Sequence, residues 1–265
     1  MQSINYRIAI PTIGRSQTIK KKTLDYLLRT DIDISKVDIF FSKPEEITEY
    51  KESLKDIKIG NYVPTNQKHI RTQRNFISKY YPENTFVVGI DDDIESLQIK
   101  IDDKKTHELT QLNEFILNAF NISQKNKSDL WGISAVLNPY FMKNTVSFNL
   151  KYIVGCFYGW RNTYLPKNIL SEVAGPDGIL FGKEDYEKSI QYYKEDGKVT
   201  RFNYVAPKTK YYSESGGIQT YRTKNNEELG VQYLLKTYPS FCKRKKTKPE
   251  AYPEVRLYDS RLKNL

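Results

Sequence analysis

Cysteine, histidine, tryptophan and methionine each occur only twice in these 265 residues, and that scarcity excludes several kinds of chemistry. Cys156 and Cys242 are far apart and sit in no metal-ligand spacing, so free thiols are expected, not a disulfide or a zinc site. His69 and His107 form no spaced pair, which removes a zinc hydrolase. The early loop Pro11-Thr12-Ile13-Gly14-Arg15 has neither the glycine-rich dinucleotide fingerprint nor the Lys-Ser or Lys-Thr ending of a P-loop. There is no apolar run of membrane-spanning length, no secretory series at the N-terminus, no internal repeat and no long low-complexity linker. A soluble, cytoplasmic protein without a membrane partner is the expectation.

Aromatic residues and positive charge are abundant. The 21 tyrosines and 12 phenylalanines supply apolar area to a Lys-rich chain, and one α/β domain with elaborated loops suits this length. With 42 Lys and Arg against 32 Asp and Glu, the formal charge is +10, enough to attract a polyanion. Nucleic acid is the leading large partner on this count. The run Lys243, Arg244, Lys245, Lys246, Lys248 is the densest local signal and marks 241–265 as a basic C-terminal extension; a solvated tail is its plain alternative.

Periodicity gives an alternating βαβ order. Tyr6–Ile10 reads as a strand, a helix carries Ile19, Leu24, Leu27 and Leu28, and Val37–Phe41 reads as a second strand. A helix follows Pro44, a short strand spans Ile57–Tyr62, a helix spans Ile70–Tyr80, and an apolar strand spans Thr85–Ile90. Leu112, Phe115, Ile116, Ala119 and Phe120 form the stripe of a further helix. Extended runs follow at Trp131–Leu137, Tyr152–Tyr158 and Val199–Val205, with helices over Asp185–Tyr193 and around Val231, Leu234 and Leu235. The expected fold is a mostly parallel central sheet in one domain over 1–240, with 1–97 as the nucleotide side and 98–240 as the acceptor side.

The most informative residues are Asp91-Asp92-Asp93, which follow the apolar strand directly. Three adjacent carboxylates repel one another unless cations or donors stabilise them, so a divalent-metal or phosphate role is favoured over an exposed acidic turn. Asp91 and Asp93 alternate from an extended segment, so one can meet the nucleotide ribose and the other Mg²⁺ or Mn²⁺. Pro11, Thr12 and Arg15 belong to the same sheet edge, where α/β folds bind ligands. Arg71 and Arg74 share a helix face and can clamp a diphosphate, with ordinary solvent exposure the equal alternative. Glu184-Asp185 opens a helix; Asp185 is the candidate base and Glu184 its neighbour, with acidic helix capping as the other reading. Tyr158, Trp160 and Arg161 offer stacking and charge to a substrate, with a structural tryptophan the equal alternative, and Gly216-Gly217 offer a mobile backbone over the cleft or a plain solvent-facing loop.

In this order the motifs resemble the A-type glycosyltransferase fold. More narrowly, Ser215-Gly216-Gly217-Ile218 followed by Tyr221-Arg222 resembles the phage and eukaryotic TET/JBP-associated glycosyltransferases of DNA base hypermodification. The resemblance implies a UDP-sugar donor and transfer to the hydroxyl of a 5-hydroxymethylpyrimidine such as 5-hydroxymethylcytosine in DNA; inverting displacement is the mechanism to test, with retention the alternative. It also implies Asp93 as metal ligand, Asp91 as ribose or second metal contact and Asp185 as base, with the host cytoplasm as location for a bacteriophage protein. Such folds often add a late histidine to the metal, whereas this chain has none after His107 and leaves Glu214 as a candidate substitute. A protein or glycan acceptor, or a basic nucleic-acid-binding module without activity, are the alternatives.

Overall fold

The computed structural model describes residues 4–175, 178, 180, 182–209, 222–248 and 250–264. Its first half is a regular parallel α/β unit. The strands are β1 (Tyr6–Thr12), β2 (Val37–Phe41), β3 (Asn61–Pro64) and β4 (Phe86–Ile90). Between them run α1 (Ser16–Ile19), a π turn, α2 (Asp25–Leu28), α3 (Ile47–Ser53) and α4 (Ile70–Tyr80). The strands pair in parallel in the order β3-β2-β1-β4. All five residues of β2 are buried, as expected of a sheet covered on both faces. Its one charge, Asp38, is answered by Arg7, the Tyr81 hydroxyl at 2.7 Å and Asn61 at 2.6 Å.

Helix α4 departs from the usual amphipathic pattern because its buried residues include Arg71, Gln73, Arg74, Asn75 and Ser78. Each such group needs a partner, and loop backbone supplies several. Gln73 donates to the Phe40 carbonyl at 2.7 Å, and Asn75 donates to the Leu170 carbonyl at 2.8 Å. The helix is thus a polar spine joining the sheet to the loops of the second half.

That half continues with β5 (Ser96–Lys100), β6 (Thr106–Glu108), α5 (Leu112–Lys125), β7 (Leu130–Ile133), β8 (Val146–Ser147) and β9 (Phe157–Arg161). It ends with α6 (Glu184–Asp196), β10 (Thr200–Phe202), β11 (Val205–Lys208), α7 (Lys224–Thr237), β12 (Cys242–Lys245) and β13 (Glu254–Leu257). Strand β9 inserts between β4 and β7, antiparallel to both, and β10 then runs parallel to β7. The eight-stranded sheet, β3-β2-β1-β4-β9-β7-β10-β8, is therefore mixed though largely parallel. Trp131 centres the core on one face, with the rings of Phe115, Phe120, Phe157 and Phe202 between 5.4 and 6.2 Å away. Gly159 is required there, because a Cβ would lie 2.3 Å from the indole of Trp131.

The strand expected over 152–158 begins five residues later. The Ile153 and Gly155 amides bond to α6 side chains instead of a neighbouring strand, Ile153 to Ser189 Oγ at 2.9 Å and Gly155 to Asp185 at 3.0 Å. Strands β11, β5 and β6 form a separate small sheet, and β12 and β13 pair as a hairpin. The hairpin buries Cys242 and Val255 in the same core cluster as Val231 and Leu234 of α7. Among the described residues no helix is long and apolar enough to cross a membrane.

Candidate active site

The carboxyl ends of β1 and β4 and the N-terminus of α6 enclose a cleft of about 400 Å³. Pro11, Thr12 and Arg15 reach it from β1 and the loop beyond, Asp91, Asp92 and Asp93 from the end of β4, and Glu184 and Asp185 from α6. Residues 76 positions and more apart in the chain thus meet where open α/β sheets bind ligands.

Arg74 joins these parts. Its guanidinium is 5% exposed; Nη1 lies 2.6 Å from Asp185 and 3.1 Å from Glu184, and Nη2 lies 3.5 Å from Asp91. Nη2 also donates to the Gly155 carbonyl at 2.9 Å. Asp185 accepts further from the Tyr152 hydroxyl at 3.1 Å and the Gly155 amide at 3.0 Å. It is held as an oriented carboxylate facing the cleft. Gly155 permits this approach, since a Cβ there would fall 2.1 Å from the Asp185 carboxylate.

The three aspartates do different things. Asp92 is turned inward, accepting from Thr12 Oγ1 at 2.6 Å and Arg15 Nη1 at 3.0 Å, while Tyr50 braces Thr12 at 2.9 Å. Burial pushes its carboxyl up to about 6, with Arg15 and Thr12 drawing it back. Asp91 keeps 31% of its side chain open to the cleft. Burial pushes it up to about 8; Arg74 opposes the rise, and Asp93 and Asp185 add to it. Asp93 has Arg15 at 3.6 Å. Burial also raises Glu184, reinforced by the charge of Asp185.

Other expected site residues fall outside the cleft. Arg71 spans the base of α6, pairing with buried Glu187 and donating to the carbonyls of Ser171 at 2.9 Å and Gly182 at 3.1 Å. Tyr158 and Trp160 are core residues, 3% and 2% exposed, stacked 5.2 Å apart. Lys188, itself buried, donates to the Tyr158 hydroxyl at 2.7 Å. Arg161 grips Asp129 at 2.7 Å on the far side of β9. Gly216, Gly217 and Glu214 lie outside the described residues.

The cleft wall includes residues that the sequence did not single out: Gln67, Lys68, Tyr152, Lys183, Tyr186 and Glu254. Lys183 is the one with a backbone signature, a left-handed φ of 70° immediately before α6. Its ammonium pairs with Glu227 at 2.7 Å and Glu254 at 3.1 Å, holding a conformation that a side chain disfavours.

Among the described residues no three His, Cys, Asp or Glu side chains form a metal cage. Asp91 and Asp93 face the cleft with Asp185 and Glu184 nearby; Arg74 pairs with three of these four acids, and Arg15 lies 3.6 Å from Asp93. That negative excess fits an open oxygen site for a hard divalent cation, completed by phosphate oxygens and water.

No family model matches the sequence, and no curated protein does. The fold, however, is shared with solved structures. TarS 1–349 from S. aureus, solved with UDP-GlcNAc, superposes with a TM-score of 0.56 at 15% identity over 88% of this chain and 67% of that one. GalNAc-T7, solved with UDP, GalNAc and Mn²⁺, gives 0.57 at 8% identity over 90% and 49%. The mannosyltransferase PcManGT from Pyrobaculum calidifontis, solved with GDP-Man and Mn²⁺, gives 0.51 at 14% identity over 92% and 67%. The chain spans 66% of TarS 1–349 solved alone and 40% of a longer TarS structure.

These likenesses overturn the resemblance to TET/JBP-associated enzymes and the 5-hydroxymethylpyrimidine DNA acceptor, together with the phage origin inferred from it. The similar structures hold UDP-GlcNAc, UDP with GalNAc, or GDP-Man. The residues that suggested DNA are also differently employed. Trp160 has no free face with which to replace a flipped base. Arg244 of the basic run binds Glu228 through both terminal nitrogens, and Lys243 lies over the Tyr258 ring. Ser215-Gly216-Gly217-Ile218 and Tyr221 lie outside the described residues, and Arg222 pairs with Glu227 at 2.7 Å.

Proposed function

We propose that this chain is a glycosyltransferase moving a sugar from a nucleotide diphosphate to a hydroxyl of a protein or glycan acceptor. The observation that carries the reading is the Arg74 junction, where one buried guanidinium ties Asp91 at the end of β4 to Asp185 at the start of α6. Donor-side and acceptor-side carboxylates are thereby held at fixed separation across one cleft.

On this reading the loop Pro11–Arg15, shaped by Thr12 and Arg15 on Asp92, receives the nucleotide. Asp91 and Asp93 would hold Mn²⁺ or Mg²⁺ against the diphosphate. The cation would neutralise the charge of the leaving group. Asp185 accepts the acceptor hydroxyl proton as the oxygen bonds the anomeric carbon; the bond from that carbon to the diphosphate breaks, and its electron pair leaves on the phosphate oxygen. Three donors hold the Asp185 carboxyl in one orientation, and Glu184 stands beside it as a second acid.

The test is a donor screen with UDP-GlcNAc, UDP-GalNAc and GDP-Man, with and without Mn²⁺, read by nucleotide release and product mass. Nucleotide binding and cation-dependent sugar transfer are expected. Absence of both binding and turnover with every donor refutes the proposal.

A further inference from the structure

We infer that the acceptor is a carbohydrate, and that Glu254 of the C-terminal hairpin and Tyr186 of α6 form the subsite that holds its sugar ring. This rests on the glycosyltransferase reading above and specifies the acceptor side of the same cleft. Strand β13 is remote in sequence from every catalytic candidate, yet Glu254 lines the cleft. It is positioned from two directions: the Tyr186 hydroxyl donates to Oε2 at 2.6 Å, and Lys183 donates to Oε1 at 3.1 Å. Tyr186 immediately follows Asp185, and its ring lies 4.3 Å from that of Tyr152, whose hydroxyl bonds Asp185.

The wall beside the proposed base therefore combines two partly buried aromatic rings with a fixed carboxylate and a fixed ammonium. A pyranose has a matching make-up, with an apolar C–H face and a rim of hydroxyls that both donate and accept. Each Glu254 oxygen has one partner here and can accept a second hydrogen bond. A peptide is the weaker fit, since extended peptides gain affinity from open strand edges. This wall consists of side chains on a helix start and on a strand already paired with β12. The hairpin thus contributes to the acceptor pocket through its acidic side, while Arg244 faces α7 through Glu228.

The experiment uses the full chain, the donor selected by the screen above, and two acceptor sets: p-nitrophenyl glycosides of hexoses, N-acetylhexosamines and pentoses, and a Ser/Thr peptide library. Glu254→Gln keeps size but removes the charge, and Tyr186→Phe removes only the hydroxyl anchor. Transfer to glycosides is expected, with acceptor KM raised about tenfold or more in either variant, the scale of a lost buried hydrogen bond to a charged group. UDP or GDP affinity, measured by calorimetry, should stay within about twofold, which also verifies folding. Transfer to peptides alone, nucleotide binding without glycoside product, or unchanged acceptor KM in both variants overturns the inference and leaves the transferase reading standing. No binding of any nucleotide overturns both.

Discussion

Arg74 Nη1 lies 2.6 Å from Asp185 Oδ1 while Nη2 of the same guanidinium lies 3.5 Å from Asp91 Oδ1. Removing this cation leaves three carboxylates facing one another in a mostly buried site. Arg74→Met should therefore cost about 3 kcal/mol or more of stability and abolish transfer. Arg74→Lys retains charge but cannot span both partners, so it should fold better than the Met variant and still turn over poorly. Urea unfolding alongside donor turnover checks this; a fully active Arg74→Met rules out the junction.

Asp91 gives a pH signature of known sign. Its folded carboxyl sits near 8, whereas in the unfolded chain it titrates at about 4. Between those values the folded protein binds the extra proton, so without metal stability should fall as pH rises through this window. Asp91→Asn should remove that slope and melt higher than wild type at about pH 7.5, with the difference vanishing near about pH 4. Mn²⁺ with UDP should narrow the gap at the higher pH by stabilising the wild type alone. Identical melting curves across the range would show that Asp91 ionises without cost.

Lys188 predicts the opposite trend at higher pH. Burial, helped by the charge of Arg74, lowers its ammonium to about 7, and its Nζ lies 4.1 Å from the Tyr158 ring centre. The unfolded chain holds this proton up to about pH 10, so stability should rise with pH from about 7 upward. Lys188→Met should flatten that rise while filling the same space. Thermal melts at several pH values between about 7.5 and 9.5 are sufficient, and parallel curves for the two proteins would refute it.

Gly155→Ala isolates the acceptor side. The new methyl would displace the Asp185 carboxylate or Arg74, whose Nη1 would lie 2.6 Å away. Transfer should drop by about a hundredfold, as expected when a catalytic group is misplaced by an ångström. Nucleotide affinity should change much less. Wild-type turnover would mean that Asp185 moves without consequence and is not the base.

Trp160 separates a core role from a substrate role. Trp160→Ala should destabilise the protein by about 3–5 kcal/mol through the cavity it leaves, because the ring is buried against Tyr158 and Lys188. Trp160→Phe should recover most of that stability and retain acceptor affinity. A stable Trp160→Ala protein with weakened acceptor binding would contradict this placement.

The parallel half was legible because its signals are local. Residues 70–80 form the expected helix, and Val37–Phe41 and the strand ending at Ile90 stand where apolar runs met polar breaks. The meeting of Pro11, Thr12 and Arg15 with Asp91–Asp93 followed from strand ends sharing an edge. The antiparallel insertion of β9 was not legible, since periodicity carries no information on which distant strand a segment pairs with. For Gly159-Trp160-Arg161 the sequence left a substrate-facing ring and a structural tryptophan equally open; period-two alternation puts Tyr158 and Trp160 together on a buried face. Glu254 was invisible for a related reason: β12 is Cys-Lys-Arg-Lys, and its charged run gave no sign of a paired strand.

The insertion of β9 also bears on how the chain can be divided. Strand β4, Phe-Val-Val-Gly-Ile, has β1 on one side and β9 on the other, and β9 arrives from the second half. A fragment stopping near residue 97 would expose β4 as a flat, apolar, uncharged edge with its hydrogen-bonding groups unsatisfied. Edges of that kind recruit other strands. Residues 1–97 expressed alone should therefore self-associate, because β9, which covers this edge in the intact chain, is missing.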